Sequence, residues 1–469
     1  MLKRLAVLGA MAATLAAQAV ASPIASAARG LETGFADNLY ASLDPSVRSL
    51  WLDRTVKADA GIARINVSWR GVAGSTPPVM PANPADPSYD FSRIDAAVSD
   101  AAARGLDVML TVYEAPNWAE GQNRPANAAP GSWKPNPQAF RDFAHALASR
   151  YSGVFLSLPR VRYFEAWNEP NLGSTSDLTG YLDPQWTKGK SPKSPDIYRR
   201  LLNAFYDGVK SAVPADKVIA GALGPFGDHP GKERMRPLTF LRNLFCLDNR
   251  LKPTKCPSKP HFDILSQHPI SQFTSTGSPH AHAANRNDVA IADFHDVKRV
   301  LRAAQRTHHV RPGGHHALWA TEFWWITKPY PASFAIPVRK QARWIQEAFY
   351  LLWKQGARVA INLQIRDDPL PGFTSGIYFS DGKPKPATRS FRFPFVTHRR
   401  SGRKVGAWGK APKPGSLKIQ KRKGGGWRTL KTFKVRQGQV FSQGLRLHGA
   451  ATLRGTVGGV ASMPWHQGR

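Results

Sequence analysis

The sequence predicts an α/β fold, a (β/α)8 TIM barrel, followed by a small C-terminal all-β domain. Two observations support this prediction. Between about residues 30 and 395, eight short apolar runs alternate with segments of helical periodicity, which is typical of parallel strands covered by helices on both faces. Eight such repeats favour a closed barrel over an open sheet. After about His398, glycines and short alternating segments replace the helical pattern, which indicates antiparallel strands.

The predicted strands are defined by their apolar runs and the helices by their spacing. The strands cover residues 34–38, 62–69, 106–112, 161–167, 218–222, 262–268, 317–323 and 359–364. The helices cover residues 94–103, 140–151, 197–213, 294–304 and 338–355. Gly105 follows the first helix and Pro214 follows the third, and both residue types end helices.

Polar insertions rich in proline and glycine follow several of these strands. They cover about residues 74–90, 119–137, 172–195, 225–260 and 271–290. The loops that follow barrel strands form the active-site face of this fold. The insertions are therefore expected to wall a cleft.

The N-terminus predicts export. Residues 1–27 combine a positive start at Lys3 and Arg4, an alanine-rich apolar stretch and small-residue cleavage sites, which is typical of a signal peptide. An uncleaved membrane anchor is the alternative. No later apolar stretch is long enough to span a bilayer. We therefore expect a secreted or cell-wall-associated protein, with a barrel domain at 28–397 and a basic, β-rich accessory domain at 398–469.

The charge is large and uneven. The net charge is +33, and no acidic residue follows Asp381. A basic region outside the cell favours binding of an anionic cell-wall polymer, and export disfavours nucleic acid as a partner. A region that only improves solubility is the alternative.

Cys246 and Cys256 are the only cysteines. In an exported chain, two cysteines this close predict a disulfide, with two free thiols as the alternative. They cannot build a metal site alone, and the chain has no HExxH or CxxC pattern. No metal or other cofactor is expected.

Two glutamates carry the functional prediction. Glu169 and Glu322 lie at the ends of the fourth and seventh predicted strands, next to tryptophans, where a barrel keeps its chemistry. Cleavage of a glycosidic bond needs two such carboxyls, one to protonate the leaving oxygen and one to supply negative charge at the anomeric carbon. Structural ion pairs at strand ends are the alternative. Glu165 shares strand parity with Glu169, and we expect it to hold Arg64 rather than to react.

Two motifs resemble those of the clan A retaining glycoside hydrolases, in particular xylosidase-like and cellulase-like members. They are Trp167-Asn168-Glu169-Pro170 and Thr321-Glu322-Phe323, and the resemblance covers about residues 30–395. It implies that Glu169 is the acid/base, that Glu322 is the nucleophile, and that Asn168 binds the sugar 2-hydroxyl of an oligosaccharide or polysaccharide. Retention of configuration further implies that the two carboxyls lie about 5–5.5 Å apart.

Further candidates for sugar binding are Arg64, Trp118, His268, Trp324 and Gln364. Arg64 and His268 occupy positions that the family uses near its site. The two tryptophans could stack on sugar faces or could simply cap the barrel. Gln364 stands where many members have a tryptophan, and no tyrosine follows His268 as it does in many members. These departures keep open a second hypothesis, a non-catalytic carbohydrate-binding or cell-surface protein on a barrel scaffold.

Overall fold

The structure is a computed structural model that describes residues 30–174 and 181–468. The predicted signal peptide, residues 1–27, lies outside the described residues. Among the helices of the two described ranges, none is long and apolar enough to cross a membrane.

Eight parallel strands form a closed barrel, as the sequence predicted. They are β1 Glu32–Ala36, β2 Ile62–Ser68, β3 Asp107–Tyr113, β4 Tyr163–Ala166, β5 Lys217–Leu223, β6 Ile264–Gln267, β7 Ala317–Phe323 and β8 Val359–Leu363. Each strand pairs with the next in the chain, and β8 closes the barrel against β1 with Phe35 opposite Asn362. Because all eight strands are parallel, their carboxyl ends lie at one mouth of the barrel.

Helices connect these strands. They are α1 Pro45–Lys57, α2 Trp69–Ala73, α3 Ser92–Ala102, α4 Pro137–Arg150, α5 Ser194–Ala212, α6 Pro237–Leu244, α7 Phe294–Arg306, α8 Val338–Gln355 and α9 Ala387–Arg392. The five predicted helices are confirmed as α3, α4, α5, α7 and α8. Local sequence explains several ends: Asp44 and Asn136 cap α1 and α4 by accepting backbone N–H groups, and each cap precedes a proline.

The C-terminal region is all-β, as predicted. Its strands are β9 Phe395–Ser401, β10 Lys404–Lys410, β11 Gly415–Lys423, β12 Gly426–Val435, β13 Val440–Arg446, β14 Ala451–Val457, β15 Val460–Ala461 and β16 Trp465–Gln467. They form one sheet in the order β13-β10-β9 and another in the order β12-β11-β14-β15, with β16 beside β14. Strand β9 spans the predicted domain boundary at residue 397, and that boundary stays a prediction.

The C-terminal sheets are fixed to the barrel by a continuous apolar interface. Trp408 of β10 contacts Tyr350 and Trp353 of α8, with ring centroids 5.6 and 5.7 Å apart. Lys410 also forms a buried ion pair with Asp59, with Nζ 3.0 Å from Oδ2. The two parts therefore share one hydrophobic core.

The predicted disulfide is present. Cys246 and Cys256 are bonded, with their Cα atoms 5.4 Å apart. The bond closes a loop between α6 and β6.

Candidate active site

The barrel mouth brings Glu169, His268 and Glu322 together. Glu169 follows β4, His268 directly follows β6, and Glu322 lies near the end of β7. One carboxylate oxygen from each glutamate and one ring nitrogen of His268 all lie within 4.8 Å of one another. The glutamate side chains are 13% and 14% exposed, while His268 is fully buried. Both carboxyls can therefore be reached from the cleft but are largely shielded from water.

The chain takes a strained turn to place Glu169. Trp167 and Glu169 have φ angles of 75° and 43°, in the left-handed region that costs a residue other than glycine on the order of 1–3 kcal/mol. Three hydrogen bonds hold the turn: Trp167 N–H donates to Val112, Glu169 N–H donates to the carbonyl of Ala222, and the Trp167 indole donates to the carbonyl of Tyr181. Such strain is commonly kept where a functional side chain needs a fixed direction.

Arg64 links the residues of the site from below. Its guanidinium, 2% exposed, donates to Glu322 Oε2 at 3.0 Å, to Asn168 Oδ1 at 2.6 Å and to Thr111 Oγ1 at 2.9 Å. It also forms an ion pair with Glu165 at 3.2 Å, as predicted. Burial alone would lower the pKa of Arg64, but the nearby glutamate charges, chiefly those of Glu165 and Glu322, outweigh it and raise that pKa. Arg64 is therefore a permanent cation that fixes Glu322 and Asn168.

Glu165 lies beneath the site rather than in the cleft. It is fully buried, and its two oxygens accept hydrogen bonds from the hydroxyls of Thr111 and Ser266, both at 2.8 Å. Its carboxylate compensates the positive charge of Arg64 in the barrel interior. Glu165 therefore positions Arg64 and has no access to a substrate.

Glu169 and Glu322 have different surroundings. Burial raises the pKa of Glu169 to about 7, although Arg64 opposes the shift. Its nearest polar neighbour is Nδ1 of His268 at 3.0 Å, and burial lowers the pKa of His268 to about 4. Glu322 instead accepts hydrogen bonds from Arg64 and, at 3.1 Å, from the indole of Trp324. Near neutral pH, Glu169 can thus hold or release a proton beside a neutral imidazole, whereas Glu322 is held in place by its two donors.

Only some of the predicted sugar-binding residues lie against the two glutamates or Arg64. Asn168, Arg64, His268 and Trp324 contact one of the two glutamates or the Arg64 network directly. Trp118 packs edge-to-face on Trp69, with ring centroids 5.9 Å apart. Gln364 is held by its own loop, where it donates to Asp368 and accepts from Ser375, each at 2.7 Å. The roles of these residues in sugar binding stay predictions.

Two tyrosines near the site were missed by the sequence analysis. Tyr113, the last residue of β3, and Tyr181 meet edge-to-face with centroids 5.9 Å apart. Burial raises the pKa of Tyr113 to about 12 and that of Tyr181 further, and the charge of Glu322 contributes to both shifts. They are therefore neutral hydroxyl groups on the β3–β4 side of the cleft. The position of Tyr113 at a strand end was a usable signal.

Two phenylalanines were also missed. Phe273 and Phe373, in the loops after β6 and β8, each contact Trp324 nearly perpendicularly with centroids 5.5 Å apart. They are 55% and 47% exposed. The rim beside Glu322 is therefore apolar.

The spacing of Glu169, His268 and Glu322 would also suit ligands of a metal ion. However, the guanidinium of Arg64 already provides the positive charge that faces Glu322. The donor set therefore suits proton transfer and nucleophilic attack better than metal binding.

No protein-family model matches the chain, and no curated protein matches it. Solved structures do match. A family 39 glycoside hydrolase from Bacteroides cellulosilyticus WH2 has a TM-score of 0.53 at 16% identity, over 89% of this chain and 81% of that one. A glucosidase from Croceicoccus marinus has a TM-score of 0.52 at 15% identity, over 91% and 95%.

A family 39 β-xylosidase from Caulobacter crescentus is similar to the same degree. Its TM-score is 0.51 at 14% identity, over 92% of this chain and 98% of that one. Identities this low establish the fold alone. The chain therefore shares the fold of these glycoside hydrolases over most of its length, in agreement with the fold that the sequence resemblance implied.

Proposed function

We propose that this protein is a glycoside hydrolase that cleaves O-glycosidic bonds with retention of configuration, using Glu169 as acid/base and Glu322 as nucleophile. The observation that carries the proposal is the approach of their carboxylate oxygens to within 4.8 Å. Retaining enzymes hold their carboxyls about 5–5.5 Å apart, whereas inverting enzymes leave about 6.5–9.5 Å for a water molecule. The different surroundings of the two groups supply the division of roles.

In the first step, a carboxylate oxygen of Glu322 attacks the anomeric carbon and forms an ester with the sugar. The bond from that carbon to the leaving oxygen breaks, and the proton of Glu169 passes to this oxygen. The pKa of about 7 keeps Glu169 protonated at mildly acidic pH. Arg64 and Trp324 hold Glu322 in place for attack.

In the second step, Glu169 takes a proton from a water molecule that attacks the ester, which releases the sugar and restores Glu322. Asn168 contributes to both steps. Its Oδ1 accepts a hydrogen bond from Arg64 at 2.6 Å. The amide N–H groups of Asn168 are therefore left to donate to the sugar. A hydrogen bond to the 2-hydroxyl strengthens as the oxocarbenium-like transition state forms.

The substrate is proposed to be an oligosaccharide or polysaccharide. Two structural neighbours are described as a glucosidase and a β-xylosidase, so glucosides and β-xylosides are the first probes. The polar side of the cleft, with Tyr113 and Asn168, suits the sugar hydroxyls. The apolar side, with Phe273 and Phe373, suits a ring face or an aglycone.

The experiment is a panel of aryl glycosides assayed with wild type, Glu322→Ala and Glu233→Ala. Glu233 is an exposed glutamate outside the site and serves as the matched control. We expect hydrolysis of at least one glycoside by wild type and the control, and none by a folded Glu322→Ala. Near-normal turnover by Glu322→Ala would refute the assignment, and no turnover of any substrate by wild type would favour the non-catalytic hypothesis.

We also propose that the protein is exported and held at the cell wall. The disulfide supports an oxidising compartment. In the C-terminal region, β11 and β12 form a hairpin that carries exposed cations, including Arg422, Lys423, Arg428 and Lys434. This hairpin is the part of the basic region best placed to meet an anionic cell-wall polymer.

A further inference from the structure

A groove on the outside of the barrel is lined mainly by basic side chains. It has a volume of about 670 Å³ and lies between α7 and α8, with one end formed by the loop that precedes α7. Five lysines and arginines and three histidines line it, and no carboxylate does. A second cavity of about 190 Å³ shares Lys298 and Arg302 with it and extends toward His315 and Arg358. Together they form a basic furrow, which we call the α7–α8 groove.

The sequence of α7 produces this surface. His295, Arg299, Arg302 and Arg306 recur at helical spacing on one face of the helix, while the opposite face is buried in the barrel wall. From the first of these residues to the last, the helix rises about 16 Å, at roughly 1.5 Å per residue. The groove therefore presents a row of positive charges long enough to follow an extended chain.

Part of this charge is compensated within the protein. Asp293 pairs with His282, and Asp296 pairs with Arg299 and His295. Arg302, Arg306 and Lys354 are exposed, and in residues 30–174 and 181–468 no hydrogen bond or ion pair joins their side chains to another group. These three cations are available to an anionic ligand in the groove.

We propose that the α7–α8 groove binds an acidic polysaccharide, a chain of sugars that carries carboxylates. The guanidinium groups of Arg302 and Arg306 match the geometry of carboxylates, and a concave basic surface concentrates the electrostatic field on an anion inside it. This binding needs only the charges of the groove, so it is independent of the proposed hydrolase activity. It is also a different surface from the β11–β12 hairpin.

Two features favour a polysaccharide over nucleic acid. The residues that line the groove include no tryptophan, tyrosine or phenylalanine, and single-stranded nucleic acids are commonly held by stacking on such side chains. The proposed export of the protein also disfavours nucleic acid as a partner.

The test measures retention on immobilised polygalacturonate over a series of NaCl concentrations. The groove variant carries Arg302→Glu and Arg306→Glu. The matched control carries Lys57→Glu and Arg250→Glu, two exposed cations far from the groove in sequence, so both variants lose the same net charge. We expect the groove variant to bind roughly tenfold more weakly than wild type. The slope of its affinity against salt concentration should correspond to about one to two fewer ion contacts. The affinity of the control should stay within about twofold of wild type.

If both variants bind equally more weakly than wild type, only the net charge matters. If the groove variant binds as tightly as wild type, the groove is not used. Either result overturns the proposal. A gentler variant, Arg302→Gln with Arg306→Gln, should give an intermediate loss and keeps the test valid if the charge reversal unfolds the protein. Neutral dextran should not bind. If single-stranded polydeoxycytidylate binds wild type more tightly than polygalacturonate and the groove variant loses that binding, the occupant is nucleic acid and the proposal is wrong.

Discussion

Replacing Glu169 with glutamine should make the folded protein more stable at alkaline pH. Folding moves the Glu169 carboxyl from water, where its pKa is near 4.5, into a site where burial raises the pKa to about 7. Between these values the folded state binds more protons than the unfolded state, so stability falls as the pH rises through this range. Glutamine has a similar shape and no charge, so the variant does not pay this penalty.

The structure sets the size of the effect. At roughly 1.4 kcal/mol per pKa unit, the shift corresponds to about 3 kcal/mol of destabilisation once the pH exceeds 7. The side chain is still 13% exposed, and water in the cleft reduces this value. We therefore expect a gain of about 2–3 kcal/mol for Glu169→Gln relative to wild type at pH 8, and almost none at pH 4.

The assay is urea unfolding of wild type and Glu169→Gln at several pH values, with Glu233→Gln as control. Glu233 is exposed, so its replacement should leave the pH dependence unchanged. A difference between wild type and Glu169→Gln that stays constant from pH 4 to pH 8 would refute the reasoning. So would a difference of the opposite sign, since it would show that ionised Glu169 is stabilised in the folded state.

Three further predictions follow from the site, the disulfide and the hairpin. Glu169→Ala should slow hydrolysis least for substrates with good leaving groups, which need little acid help, and azide should restore part of the rate; no rescue and no leaving-group dependence would contradict the acid/base role. Cys246→Ser with Cys256→Ser should lower the free energy of unfolding by about 2–3 kcal/mol, because the bond closes a short loop in the unfolded chain; alkylation of two thiols in the native wild type would contradict the bond. Arg422→Glu with Arg428→Glu should weaken retention on anionic cell-wall material, with an effect that fades at high salt; unchanged retention at low salt would argue against the hairpin.

The barrel was predictable because its strands are buried on both faces. Apolar runs such as those of β3 and β5 can be recognised in the sequence independently of the loops. Each of these strands lies within a few residues of its predicted position. The C-terminal sheets were predicted only in outline. Alternating apolar and polar residues at 417–421 and 432–435 mark β11 and β12 in the sequence, but strands such as β9 and β10 pack against α8 and show no comparable alternation.

The candidate site was predictable where chemistry is tied to strand ends. The places of Glu169 and Glu322 at the barrel mouth were predicted from that rule. The inward direction of Glu165 was predicted from strand parity. The partner of His268 could not be predicted, since its distance of 3.0 Å to Glu169 depends on the turn after β4.

The loop residues of the site could not be predicted for a related reason. Phe273 and Phe373 approach Trp324 through long insertions, whose paths no periodic pattern describes. Gln364 has a φ of 62°, and its side chain is turned into its own loop by Asp368 and Ser375. Such contacts are decided by tertiary structure and leave no local signal in the sequence.

The most direct test of the double-displacement mechanism is the configuration of the first product. A glycoside hydrolysed by the wild-type protein can be followed by proton NMR at early times, before the free sugar mutarotates. The proximity of the Glu169 and Glu322 carboxyls predicts that the released sugar first appears with the same anomeric configuration as the substrate. A product that first appears with the opposite configuration would contradict the mechanism, even if both glutamates proved essential.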